Sequence, residues 1–478
     1  MALAVVGYGA YVPRRRLSRA AMFDAVGWAQ PGLKAFAKGA RSYGEWDEDP
    51  ITMAVEAARA AIASAPEGLI ERLVFASTTA PFLDRLNASV VAAALDLGQD
   101  VHCLDVSGSQ RAATSALIAA DGARTLIVAA ERRPTKPASA LEMQTGDAAA
   151  ALIVARDADA PIAEVLGAAS VADDFVDHYR TAETGTDYVL EERWHRDAGL
   201  SQSAPAAAHA AMAEAGVDGV DRLIAALPNP ALGLAVAKSL QIDVDRLAGG
   251  LIEAYGHAGA AQPLVSLAYE LDRVKDGDVL LLTAFGQGCD AIALRVVGAA
   301  ASKGRAATVI EDGAVDDGYV RFLSAAGALE LDWGMRAERD NRTAHSVAHA
   351  KSRDVVGFVG GLCRACGTPQ FPKARRCVNP DCNALDAQGD YRFADRRGTI
   401  KSFTEDWLAF TRSPPLVYGN VDFEGGGNVF MEMTGFDPGE AAIGAPVDMR
   451  FRIKDFDRAR GFRRYFWKAA PARGGADG

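Results

Sequence analysis

Four cysteines between positions 363 and 382 constrain this 478-residue chain more than any other feature. They fall as Cys363-x2-Cys366-x10-Cys377-x4-Cys382, two short pairs with a spacer between them, and they are four of the six cysteines in the chain. Two thiolate pairs converging on one ion meet the tetrahedral preference of zinc. Gly367, directly after Cys366, lets the backbone turn tightly around the sulfurs. Four protein ligands leave no position for a reacting water, so the expected Zn2+ is structural: it folds a small ribbon and does no chemistry. The competing reading is a pair of disulfides or unpaired core thiols. Against it, the start Met1-Ala-Leu-Ala-Val-Val-Gly-Tyr reads as a strand and has neither the basic opening nor the cleavage site of a secretory signal, which predicts a cytoplasmic, reducing setting.

The length calls for two or three domains. Net charge is -11, unevenly spread. From Lys351 onward 20 Lys and Arg stand against 16 Asp and Glu, a surplus of +4, so residues 1–350 carry -15. An acidic main body argues against extended nucleic-acid binding there. The stretch Arg458-Ala-Arg460-Gly-Phe462-Arg463-Arg464-Tyr465-Phe466-Trp467-Lys468 keeps that reading open for the tail. No apolar run reaches the ~20 residues a membrane span needs.

The first 300 residues alternate strand and helix signals. Strands are expected at Leu3–Val6, Leu73–Ala76, Thr125–Ala130, Ala148–Ala155, Arg222–Ala226, Val279–Ala284 and Ala291–Val297. Helices are expected at Ile51–Ala63, Ala112–Ala120, Ala204–Ala215, Ala231–Leu240 and Gln262–Asp272. Such alternation with short connections predicts an α/β domain over 1–300, whose halves, about 1–160 and 161–300, read as two copies of one layout. Residues 301–355 mix charge and small residues without a period and read as a linking arm. A zinc ribbon follows over 356–390. Short β-type runs at Gly398–Glu405, Leu416–Phe423, Asn428–Thr434 and Pro446–Ile453 then predict a barrel of about five strands over 391–470, with a disordered tail at 471–478.

The run Asp105-Val-Ser107-Gly108-Ser109-Gln110-Arg111 places small residues at a strand-to-helix turn, where backbone approaches a ligand closely and a helix N-terminus favours developing negative charge. Other motifs are Gly7-Tyr-Gly-Ala-Tyr11-Val-Pro13-Arg14, Asp47-Glu-Asp49 before Thr52-Met-Ala-Val-Glu56, Gly146-Asp147-Ala-Ala-Ala, Tyr255-Gly256-His257-Ala-Gly259, and Phe285-Gly286-Gln287-Gly288. In this order and spacing, residues 1–298 resemble the thiolase superfamily, within it the hydroxymethylglutaryl-CoA synthase and type III ketoacyl synthase branch. Residues 356–470 resemble the zinc-ribbon/OB-fold accessory proteins that partner thiolase-like enzymes, here fused to the catalytic half. The resemblance implies a five-layered αβαβα domain made of two similar halves, a coenzyme A thioester as substrate, and a homodimer.

The departures from that family matter as much as the match. Its nucleophilic cysteine corresponds to Gln110, with Ser109 beside it; its histidine corresponds to Ala226; its acid/base glutamate corresponds to Thr78. An acyl-enzyme needs a thiolate or an activated hydroxyl with a base nearby, and glutamine supplies neither. Gly256-His257 resembles the Gly-His pair with which true thiolases donate to a thioester oxygen, so an enolate can be stabilised without a nucleophile. The catalytic candidates are therefore His257, Tyr255, Gln110 and Ser109, with Tyr255 or a group from elsewhere as base.

Carbon–carbon bond chemistry beside the thioester follows from this, favoured as retro-aldol cleavage of a β-hydroxyacyl-CoA. Decarboxylation, a condensing acyltransferase and a non-catalytic acyl-CoA-binding scaffold are the alternatives. Cys289 reads as a small buried hydrophobe, Asp147 as a brace for the Gly146 turn, and His178 as a surface or pocket-rim residue.

Overall fold

Leu3–Tyr11 (β1) opens the chain as a strand buried along nearly its whole length, as expected for a strand covered on both faces. The computed structural model describes residues 3–156, 160–298, 305–342 and 344–472. Eight further strands join β1 in one sheet: Arg72–Ala76 (β2), His102–Val106 (β3), Thr125–Glu131 (β4), Ala148–Arg156 (β5), Ala163–Ala172 (β6), Arg222–Ala226 (β7), Val279–Phe285 (β8) and Gly288–Val296 (β9). Their order is β7-β8-β9-β6-β1-β5-β4-β2-β3. On one side β1 runs antiparallel to β5, β5 antiparallel to β4, and β4 parallel to β2. On the other, β6, β9, β8 and β7 repeat those relations. The halves join at β1 and β6 through the pairs Ala4↔Glu164 and Val5↔Ala163.

The helices complete the layering. Pro50–Ser64 (α1) starts on a capping box: Asp49 accepts from the Thr52 backbone N–H at 3.0 Å, and the Thr52 hydroxyl accepts from the Asp49 N–H at 2.8 Å. It covers β1, β5 and β4, while Ser201–Ala215 (α3) covers β6, β9 and β8. Ala112–Ile118 (α2) and Gln262–Leu271 (α4) touch each other and strands of both halves. One core holds Ala116 and Leu117, Leu264 and Leu267, Ile127 and Leu152, and Leu282 and Ile292. The layers are helix, one half of the sheet, helix, the other half of the sheet, helix, and the domain is a five-layered αβαβα fold. The alanine-rich helices permit this, since small side chains let a helix layer lie close to strands on both sides.

The described residues fall into two compact units. One draws on Met1–Glu45, Asp49–Ala92 and Gly98–Leu329; the other on Trp46–Glu48, Ala93–Leu97 and Glu330–Gly478. The first part of the segment read as an arm is therefore built into the first unit. Ala314–Asp316 pairs in parallel with Arg15–Ser18, and Tyr319 and Phe322 of the helix Tyr319–Ala325 pack with Leu17, Met22 and Tyr43. Periodicity missed this because each piece is only three to seven residues long. The rest of that segment, from Glu330, is assigned to the second unit.

In the second unit Val359–Cys363 pairs with Pro369–Gln370 and Gln388–Arg392. The barrel follows: Gly398–Asp406 (β10), Leu416–Phe423 (β11), Asn428–Met433 (β12), Pro446–Asp457 (β13) and Phe462–Pro471 (β14) close in the order β10-β11-β12-β14-β13. Alternate residues of β11 are buried, the period-two pattern of a strand with one face inward. The basic-aromatic stretch becomes β14, whose Tyr465 and Trp467 lie inside, and the Trp467 indole N–H donates to the Val356 carbonyl at 2.7 Å. Those rings belong to the core and are not a platform for stacking bases. The expected disordered tail lies, beyond Ala472, outside the described residues. Among the described residues no helix is long and apolar enough to cross a membrane.

Candidate functional site

The site gathers at the turn between β3 and α2. Asp105, on β3, anchors it by accepting from the backbone N–H groups of Asn87 and Ala88, each at 2.8 Å. Gly108 has φ +91°, a left-handed conformation that needs glycine, and it throws Ser109 and Gln110 forward. A Cβ added to Gly286 would lie 2.7 Å from the Ser109 hydroxyl, so the glycine loop after β8 is packed against this turn.

The two residues at the expected nucleophile position face different partners. The Ser109 hydroxyl donates to the Gly286 carbonyl at 2.8 Å, and Arg111 donates to the same carbonyl at 2.9 Å. Arg111 also pairs with Asp290 at 2.6 Å. Asp290 is fully buried, and its other oxygen accepts from Thr114 and Ser115 at 2.9 and 2.7 Å. Ser109 is thus a brace and has no imidazole or carboxylate on its hydroxyl among its hydrogen bonds. Gln110 turns the other way: its Nε2 lies 3.1 Å from Nε2 of His178.

His178 carries more than a rim position. Its Nδ1 is 2.7 Å from Oδ2 of Asp177, whose other oxygen accepts from Gln287. Burial alone would push the Asp177 carboxyl up, but the hydrogen bond and charge of His178 outweigh it and hold Asp177 below the ordinary carboxylate range. His195 donates from Nε2 to the Asp177 backbone carbonyl. A clamp holds the neighbouring residues: Arg180 and the buried Arg133 grip opposite oxygens of Asp187 at 2.7 and 2.6 Å.

His257 comes to the same region on the Tyr255–Gly259 turn. Its backbone N–H donates to the Gln144 carbonyl at 2.9 Å, and its carbonyl accepts from Gly146 at 3.1 Å. Glycine is required on both sides of this contact. A Cβ on Gly146 would fall 1.8 Å from the Tyr255 carbonyl, and one on Gly256 (φ +93°) 2.3 Å from that of Thr145. Nδ1 accepts from the Gly259 N–H at 3.2 Å, which leaves the ring proton on Nε2.

That Nε2 is buried and has no hydrogen bond of good geometry; the backbone of Ala226 favours the charged ring, but burial outweighs it. Burial, with the charges of Arg133 and His178 adding to it, lowers the imidazole to about 3, so it is a neutral N–H donor. A buried donor without a well-placed partner can turn to an acceptor that enters the site.

Tyr255 does not join the cluster. It is fully buried, its hydroxyl exchanges hydrogen bonds with the Gln262 amide at 3.1 and 3.3 Å, and burial raises its pKa far above the range of a useful base. Cys289 is buried and pushed up to about 12 by burial, with Asp290 adding to it, so it supplies no thiolate.

A carboxylate that sequence reasoning missed stands at Glu131, the end of β4. It accepts from the Thr78 hydroxyl at 3.0 Å and the Thr79 hydroxyl at 3.1 Å. Burial pushes its carboxyl up despite Arg133 at 3.9 Å. Its strand is paired in register with the one that leads to Thr78, which brings this acid to the threonine. The unusual Glu131-Arg132-Arg133 ending on an otherwise apolar strand was the available signal.

The four cysteines converge as the spacing required. Their sulfurs all lie within 4.8 Å of one another, with Cys363–Cys382 at 3.9 Å and Cys366–Cys377 at 3.6 Å. Four sulfurs at about 2.3 Å from one zinc stand about 3.8 Å apart, whereas a disulfide needs about 2 Å. The donor set fits a closed tetrahedral metal site. Cys363 and Cys382 come from the two knuckles, and Gly367 (φ +74°) turns the first of them.

Residues 210–296 match the family described as 3-oxoacyl-[acyl-carrier-protein (ACP)] synthase III C terminal, and residues 391–452 match ChsH2, C-terminal OB-fold domain. The chain thus carries a thiolase-like domain of the synthase III and hydroxymethylglutaryl-CoA synthase type, followed by an OB-fold domain of the ChsH2 type. It is 29% identical over 314 residues to the hydroxymethylglutaryl-CoA synthase of Thermococcus onnurineus, covering 61% of this chain and 85% of that one. The fold is similar to 3-oxoacyl-[acyl-carrier-protein] synthase III from Aquifex aeolicus (TM-score 0.55, 23% identity, 61% of this chain and 99% of that one). It is also similar to a hydroxymethylglutaryl-CoA synthase complexed with CoA (TM-score 0.56, 18% identity, 72% and 95%).

Proposed function

We propose that this protein binds an acyl-CoA and makes or breaks a carbon–carbon bond next to the thioester, without an acyl-enzyme. The direction we favour is retro-aldol cleavage of a β-hydroxyacyl-CoA into a shorter acyl-CoA and an aldehyde or ketone. The observation that carries this reading is the buried, neutral His257, whose Nε2 has no hydrogen bond of good geometry, beside which we read Gln110 as standing in the nucleophile's place. A neutral N–H aimed at a thioester oxygen stabilises the enolate that forms as the Cα–Cβ bond breaks, and its ordered surroundings need no reorganisation. Neither Ser109, which donates to a carbonyl, nor Cys289, a protonated thiol, is an activated nucleophile.

The same groups run in reverse would join an acyl-CoA enolate to a carbonyl compound, and the hydroxymethylglutaryl-CoA synthases similar to this chain favour that condensation as the second reading. We assign the cysteine cluster to structural zinc and the native state to a homodimer, as the thiolase-like fold supports. Incubation with a panel of β-hydroxyacyl-CoAs is expected to release a carbonyl product and a shortened acyl-CoA. A panel that yields neither, in either direction, would sink the reading.

A further inference from the structure

The Asp177–His178 pair lies against Gln110, and the acyl-CoA reading assigns it no role. Its geometry fixes the chemistry. His178 Nδ1, 2.7 Å from a carboxylate oxygen, bears a proton and donates it to Asp177. In the neutral ring Nε2 then holds the lone pair, and that atom faces the Gln110 amide nitrogen at 3.1 Å. Three separate contacts keep the carboxylate in place. Gln287 donates to its free oxygen, His195 donates to the Asp177 backbone carbonyl, and Leu190 donates its backbone N–H to that same carbonyl at 3.2 Å. The His178 and Asp177 side chains are 11% and 8% exposed, so the pair is held largely out of solvent. A carboxylate that orients an imidazole whose other nitrogen is free to accept is the arrangement general-base catalysis uses.

We infer that His178 is the proton-carrying catalytic residue of this site, with Asp177 as its positioning residue and Gln110 holding the lone pair until substrate takes its place. The inference rests on the acyl-CoA reading above. In the cleavage direction His178 Nε2 takes the proton of the β-hydroxyl. The O–H electrons form the carbonyl at Cβ, the Cα–Cβ bond breaks, and its electrons pass to the thioester as an enolate held by the His257 N–H. The imidazolium of His178 then returns its proton to the α-carbon, so no external acid, base or oxidant is consumed. The retained proton makes one further activity unavoidable: the reverse of that last step exchanges the α-proton of an acyl-CoA that has no β-hydroxyl.

The test measures both reactions on the full-length protein. Exchange of the α-protons of propionyl-CoA is followed by NMR in D2O, and cleavage is followed on the β-hydroxyacyl-CoA panel. His178→Gln is expected to lower exchange and cleavage together by about 100-fold or more. His178→Ala is expected to regain part of both on adding free imidazole. Asp177→Asn is expected to lower kcat at an unchanged KM, and Asp177→Glu to restore part of it, a split that a packing defect would not give. Exchange that depends on His178 without any cleavage keeps the base and removes the retro-aldol reading. Wild-type rates in His178→Gln overturn the inference, and so does a wild-type protein that neither exchanges nor cleaves.

Discussion

His257 shows how one side chain couples stability to function. Its folded pKa of about 3 lies below the ordinary 6.5 because burial and the Arg133 charge oppose protonation. Below pH 6.5 the unfolded chain binds a proton that the folded chain refuses, so the stability this group contributes is full above pH 6.5 and drains away as pH falls toward 3. Each pH unit in that window removes about 1.4 kcal/mol, hence about 2 kcal/mol between pH 6.5 and 5. Urea titrations should show a steeper loss of stability in wild type than in His257→Gln over that interval. Equal slopes would mean that the ring titrates freely. The same shift keeps the ring a neutral donor at any pH near neutrality, the state that thioester binding needs.

At the scale of elements, short turns carry the specificity. The Tyr255–Gly259 turn and the Thr145–Gly146 segment touch through backbone, with no space for a Cβ at Gly146 or Gly256. The ribbon is the other example, because its three short strands hold few apolar side chains and its knuckles depend on the sulfurs. Small modules of this kind draw their folding energy from the metal. Purified protein is expected to contain one zinc per chain by elemental analysis. Cys377→Ala should lose it and release the 359–392 segment to proteolysis. A Cys377→Ala protein with undiminished zinc would contradict the assignment.

Across the whole molecule, the second unit depends on residues far apart in sequence. It takes in Trp46–Glu48, where Asp47 is buried against the barrel's Lys468 at 2.9 Å, with Glu432 3.3 Å from the same ammonium. Arg452 reaches Glu48 at 3.1 Å. Burial alone would push Lys468 down, but Asp47 and Glu432 outweigh it and raise its pKa above the ordinary lysine value. Removing one partner from such a group leaves buried charge uncompensated, at about 3–5 kcal/mol. Lys468→Met should therefore lower the melting temperature strongly, whereas a change of a degree or less would show that water reaches the pair. The match of charge between a loop near residue 47 and the last strand could not be seen from either sequence segment alone.

How far the sequence carried depended on the range of the interactions. The βα alternation, the doubled layout, the barrel strands and the cysteine cluster were all legible, because each is set by periodicity or by residues within about twenty positions of one another. The small-residue turn that carries Ser109 and Gln110 was equally plain. Which atoms then meet at that position was not. His178 and Asp177 lie 68 and 67 residues beyond Gln110, and Glu131 reaches Thr78 from a strand paired in register beside it. Local patterns fix which segments become strands and helices, because propensity and burial act between near neighbours. The burial that silences Tyr255, neutralises His257 and frames His178 comes from packing distant segments together, and only the folded chain decides it.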